Sequence, residues 1–79
     1  MVRPGEVYEY EGIKIQIVEV APYYTYKKRK QLLIGYRLID GSYTSPTAHF
    51  WMSEHEDIRR KIEEVVNFYR EVKKSLQVV

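Results

Sequence analysis

The apolar residues of this chain change period once, and that change limits what it can become. Between Val7 and Met52 they recur mostly at every second residue, the repeat of a strand with one buried face. From Ile58 to Leu76 they recur at alternating steps of four and three, the repeat of a helix with one buried stripe. Strands first and a single helix last predict an α+β fold, not alternating βαβ units. The 79 residues leave room for one domain. A chain this short buries only about 60–65% of its unfolded surface, so sheet and helix must share one core. With no cysteine in the sequence, a disulfide, a zinc ribbon and a thiol nucleophile are excluded.

Within the strand-forming part, Val7-Tyr8-Glu9-Tyr10 reads as a first strand, and Glu11-Gly12 as a tight turn with glycine accepting positive φ. Ile13, Ile15 and Ile17 alternate with Lys14 and Gln16, after which the apolar phase moves to Val18 and Val20. One extra residue produces that shift, so a bulge is expected near Ile17-Val18, bending the strand and curling the sheet. Ala21-Pro22 is expected to end the strand, because proline cannot donate to a ladder. Tyr23 to Lys30 then forms a loop or hairpin tip. Leu32 to Ile39 is the third strand, with Leu32, Ile34, Tyr36 and Leu38 on one face and Leu33, Gly35, Arg37 and Ile39 on the other. Asp40-Gly41 marks a turn, and Thr47 to Met52 a fourth strand. The expected product is a curled antiparallel sheet of four or five strands, within residues 6–52.

Ser53 followed by Glu56 has the spacing of a capping box, placing the helix at about residues 54–76. Glu54, Glu56 and Asp57 then fall in its first turn and Lys73 and Lys74 near its last, as the helix dipole favours. Val66 and Phe68 are expected to widen the buried stripe. Such a helix is about 34 Å long, against a radius of gyration of about 12 Å for the whole chain. Its end should overhang, leaving Val72, Leu76, Val78 and Val79 to meet a protein partner or a second copy. Trp51, the sole tryptophan, reads as packed under the helix; the alternative is an exposed aromatic on a binding face.

Few residues suggest catalysis. His49 and His55 lack a third ligand at metal-site spacing, no serine sits in a nucleophile elbow, and the four glycines are too scattered to cradle a phosphate. No enzyme, metal or cofactor is expected. No apolar run is long enough to span a membrane, and the first residues carry no signal-peptide pattern, so the protein is expected in the cytoplasm. Abundant Lys, Arg, Glu, Ile, Val and Tyr beside a single asparagine fit a hyperthermophile.

Charge is more informative where it is uneven. Residues 22–39 hold Lys27, Lys28, Arg29, Lys30 and Arg37 with no acid, while the rest of the chain holds eight bases against eleven acids. A basic segment on a slightly acidic protein points to a localised anionic partner. Four consecutive cations repel one another, and a polyanion relieves that repulsion by counterion release. Tyr23, Tyr24 and Tyr26 lie beside them, able to stack on bases or to donate to phosphates. The bland alternatives are a solubility device, protection of a strand edge, or tyrosines that pack the hairpin.

The segments Val18-Glu19-Val20-Ala21-Pro22, Lys28-Arg29-Lys30 and Leu32-Leu33-Ile34-Gly35 resemble the small SH3-barrel chromatin proteins of crenarchaea. In that family a strand ends in an Ala-Pro step, a basic loop follows, and then a strand with an Ile-Gly pair. The hairpin Tyr8-Glu9-Tyr10-Glu11-Gly12 and the closing helix resemble a sister branch. The resemblance spans roughly residues 7–55 and implies an SH3-like partial barrel. It also implies sequence-independent binding of double-stranded DNA, with apolar side chains wedged into the minor groove. Pro22, Arg29, Lys30 and Ile34 would then lie at or near the DNA, flanked by Val20 and Leu32. The family is basic throughout and has a shorter loop and helix, whereas this chain is basic only locally. Strand alternation also sends Leu32 and Ile34 to the core, which leaves the loop as the contact.

The sequence therefore predicts a small archaeal, viral or plasmid protein that binds nucleic acid, with double-stranded DNA as the expected partner. Lys27, Lys28, Arg29, Lys30 and Arg37 would reach phosphates, and Tyr23, Tyr24 and Tyr26 would position or stack. The alternative is an accessory subunit of a replication or transcription complex, docked through its C-terminal helix.

Overall fold

A computed structural model describes residues 2–27 and 29–77, with the Gln77 side chain left out. The elements run β1 (Val7–Tyr10), β2 (Ile13–Tyr24), β3 (Lys30–Asp40), β4 (Tyr43–Thr44), β5 (Ala48–Ser53) and α1 (Ile58–Gln77). The architecture is α+β: a five-stranded antiparallel sheet, not closed into a barrel, with one helix on it. A long β2–β3 hairpin forms its centre. β1 pairs with the first part of β2, while β4 and β5 pair with the far edge of β3.

The bulge falls where the phase shift placed it. Ile17 lies opposite Tyr36 and Glu19 opposite Gly35, which leaves Val18 between them without a partner. Ile13, Ile15 and Ile17 therefore share a face with Val20 and Pro22, opposite Leu38, Tyr36, Ile34 and Leu32 on β3. Ile15, Ile17, Ile34 and Val66 are fully buried in the core between this face and α1, joined by Met52 and Ile62. Val2 also belongs to that core, which no repeat in the sequence foretold. Gly5, at φ 93°, turns the chain. Its N–H donates to the Ile17 carbonyl at 2.8 Å, and the Ile17 N–H donates to the Glu6 carbonyl at 2.9 Å. These bonds carry the pairing past β1 and seat Val2.

Three expectations are corrected. Pro22 does not end β2, which continues to Tyr24. β1 reaches only as far as Gln16 along β2, so beyond the bulge that side of β2 is an edge, where proline's missing N–H costs no ladder bond. The helix begins at Ile58, not at residue 54. Its cap is Asp57, whose Oδ1 accepts from the Arg59 N–H at 3.0 Å and whose carbonyl accepts from the Arg60 N–H at 3.1 Å. Ser53 and Glu56 do bond reciprocally: Ser53 N–H donates to Glu56 Oε1 and Glu56 N–H to the Ser53 carbonyl, both at 3.1 Å. They close a separate turn before the helix. Finally, Phe68 does not widen the buried stripe but stands 72% exposed.

The helix is clamped at its far half. Tyr69 OH donates to Asp40 Oδ2 at 2.8 Å and Lys73 Nζ to the same oxygen at 3.0 Å. Arg70 donates to the Glu11 carbonyl at 2.7 Å and pairs with the Glu11 carboxylate. Glu11 and Gly12 both have positive φ, at 50° and 83°, the requirement of the two-residue turn that matches strand twist. The molecule measures 47 × 24 × 20 Å. The 12 residues of β2 extend about 40 Å, so the hairpin sets the long axis. No helix among the described residues is long and apolar enough to cross a membrane.

Candidate nucleic-acid interface

The β2–β3 hairpin ends in the basic segment. Tyr24 opposite Lys30 is its last strand pair. Beyond it, the Thr25 N–H donates to the Arg29 carbonyl at 3.0 Å and the Arg29 N–H donates to Thr25 Oγ1 at 3.2 Å. These bonds pin the loop at its neck and turn Tyr26 and Lys27 outward. Tyr24 is 70% and Tyr26 91% exposed, so neither packs the hairpin. Lys27 Nζ sits 5.9 Å from the centre of the Tyr26 ring. Lys27 and Arg29 are exposed, and among the described residues neither they nor Arg37 forms an ion pair. Lys30 differs, being half-buried and 3.5 Å from Glu54. Lys28 lies outside the described residues.

The face of the sheet away from α1 is bare. Gln31, Leu33, Gly35 and Arg37 alternate along it on β3, opposite Ser53, Trp51 and His49 of β5 and opposite Tyr23, Ala21 and Glu19 of β2. Trp51 is therefore not beneath the helix. Met52, its neighbour, takes the core position, and Trp51 stands 52% exposed. Tyr23 meets it edge to face, ring centres 5.4 Å apart at 70°, the geometry aromatic quadrupoles prefer. A methyl at Gly35 would stand 3.1 Å from Glu19 Cβ and 3.3 Å from His49 Nε2, so the glycine lets the imidazole lie close to the sheet. Arg37 lies on the same face, its Nε donating to Thr47 Oγ1 at 3.4 Å. Alternation alone puts His49 and Trp51 together, but not which face the helix covers.

The opposite side of the hairpin is acidic. A cleft of about 570 Å³ opens between the N-terminal segment and the start of α1, with Glu6, Glu54, Glu56 and Asp57 around a floor of Leu32 and Met52. Hydrogen bonding from the Ser53 N–H, with Lys61 beside it, holds the Glu56 carboxyl below its ordinary range. Burial and the neighbouring Glu6 push the Tyr8 phenol up. Two of the cleft's acids are paired, Glu54 with Lys30 at 3.5 Å and Glu56 with Lys61 at 3.3 Å. Among the described residues no three His, Cys, Asp or Glu side chains are grouped to hold a metal ion.

Ile34 and Leu32, which the family resemblance placed at or beside the DNA, are buried under α1 and cannot reach a partner. Pro22 is exposed and Val20 half-buried. At the helix end, Val72 and Leu76 are exposed as the overhang predicted, and Phe68 extends their row. A groove of about 350 Å³ runs beside them, lined by Pro46, Ala48, Val65, Phe68 and Val72. Val78 and Val79 lie outside the described residues. Compared with protein-family models, curated proteins and solved structures, the chain matches none of them.

Proposed function

We propose that this is a non-enzymatic protein that binds nucleic acid, double-stranded DNA foremost, through the tip of the β2–β3 hairpin and without reading sequence. The observation that carries the reading is the state of the tip: Tyr24, Tyr26, Lys27 and Arg29 all project into solvent, and among the described residues no acid pairs with Lys27 or Arg29. The fold draws no core contact from them. Cations held at the end of a stiff hairpin release counterions when they meet phosphates, and tyrosine hydroxyls donate to phosphate oxygens. Arg29 can pair with a guanine edge, but residues 23–30 hold no Asn or Gln to read adenine, so the tip offers no extended base code.

The test is a titration of labelled duplex DNA at about 50 and 200 mM salt, beside a variant in which Lys27, Lys28 and Arg29 are alanine and Lys30 keeps its Glu54 partner. Wild-type affinity should fall steeply with salt. Removing three phosphate contacts should lower the slope of log K against log salt by about 2.7. Wild-type protein that shows no salt-sensitive affinity for duplex, single strand or RNA would reject the proposal.

The second reading is an accessory subunit docked through its C-terminal helix. Phe68, Val72 and Leu76, spaced by four residues and all exposed, favour it. Phe68→Asp should then abolish association with a partner protein while leaving nucleic-acid affinity intact.

A further inference from the structure

We infer that the bare face of the sheet is a stacking platform for single-stranded nucleic acid, with Tyr23 and Trp51 as the rings that contact bases. The inference rests on the nucleic-acid reading of the hairpin tip and adds to it a second surface and a second form of ligand.

Three features of that face converge. First, its rings are available: Tyr23 and Trp51 are each about half exposed and touch one another, and His49 lies two residues before Trp51 on β5. Second, the rings lie between cations. Arg29 stands at the tip and Arg37 eight residues further along the same arm, a span of about 26 Å. Lys14 is on the same face, opposite Ile39. The acids of this face are Glu19, beside Gly35, and Glu9, which lies opposite Lys14. The acidic cleft is on the other side of the hairpin.

Third, the spacing suits unstacked bases. The Tyr23 and Trp51 ring centres stand 5.4 Å apart and edge to face, wider than the roughly 3.4 Å between successive nucleotides of one duplex strand and not parallel as stacked bases are. Bases stacked inside a duplex cannot reach such rings without being pulled apart. Bases of a single strand can splay, and every base offers a π-face, so stacking of this kind is tolerant of sequence. An extended strand would lay phosphates on Arg29 and Arg37 at the two ends and bases on Tyr23 and Trp51 between them.

Trp51 is the only tryptophan, so its fluorescence reports this surface directly. The experiment titrates oligo-dT of about 12 nucleotides, and a duplex of equal length, into wild type, Trp51→Ala, Trp51→Phe, Glu19→Gln and the tip variant. Labelled strands give affinity, and far-UV circular dichroism checks that each protein is folded. Oligo-dT should quench Trp51 in the wild type. Trp51→Ala should weaken strand binding about 5- to 100-fold, with Trp51→Phe restoring much of it and duplex affinity hardly changed. Glu19→Gln should tighten strand binding.

Strand binding that leaves Trp51 fluorescence unaltered would overturn the inference, as would an unchanged affinity in Trp51→Ala or equal losses for strand and duplex. In those cases the wild type still binds and the tip variant does not, so the reading of the tip survives. Absence of binding to both forms in the wild type overturns both.

Discussion

Asp40 ties the sheet to the helix. It ends β3 and accepts hydrogen bonds from Tyr69 and Lys73 of the helix. The Lys73 bond, then the Tyr69 bond, hold its carboxyl below the usual range, and the same contact pushes the Tyr69 phenol up. A lowered folded-state pKa contributes stability that is present above the ordinary carboxyl value, about pH 4. That stability is lost as pH falls through the folded value. A raised phenol contributes stability that is present below about pH 10 and is lost as pH rises through its folded value. Urea denaturation across pH should therefore show stability declining at both ends, and Asp40→Asn should flatten the acid decline. An acid limb identical to wild type in that variant would show that Asp40 does not link helix to sheet. Trp51 teaches a different lesson at this scale. Its hydrophobicity suggested the core, yet Met52 was the residue in phase with Leu32 and Ile34.

The helix shows how two similar signals can compete along a chain. Ser53 with Glu56 and Asp57 with Arg59 both satisfy N–H groups, but only Asp57 borders the first helical turn. Asp57→Ala should cost about 1 kcal/mol, read as a shift of the denaturation midpoint. Ser53→Ala should cost less, since Ser53 Oγ caps only the His55 N–H of a preceding turn. Equal losses would mean that the turn and the helix fold as one unit. The helical repeat itself was legible to the last turn. Burial was not, because only Ile58, Ile62, Val65, Val66 and Tyr69 find a sheet beneath them. The same stripe continues to Val72 and Leu76 after the sheet has ended.

At the scale of the whole molecule, the hairpin is an arm. Among the described residues, its outer part from Pro22 to Arg29 contributes nothing to the buried core. Replacing residues 25–29 with Asn-Gly, a pair suited to a two-residue turn, should leave stability within about 0.5 kcal/mol while removing most duplex affinity. A large loss of stability would mean that the tip is a structural element and that its charges are incidental. The radius of gyration, 13.7 Å, exceeds the roughly 12 Å of a compact chain of this length, as an arm of this kind requires.

The sequence by itself determined what depends on neighbours along the chain. That includes the change from strand to helix period, the Glu11-Gly12 turn, the bulge at Val18, the two faces of β3, and the concentration of cations and tyrosines at the hairpin tip. Each follows from local sterics, side-chain alternation or plain counting of charge. Tertiary structure decided what depends on which surfaces meet. It chose the face of the sheet that α1 covers, which buried Ile34 and left Trp51 and Tyr23 bare. It brought Val2 into the core and paired Lys30 with Glu54. It also gathered Glu6, Glu54, Glu56 and Asp57 on one side of the arm. Alternation sorts side chains into two faces but assigns neither to the core; that choice belongs to the packing of the helix, whose apolar stripe can be buried against only one of them.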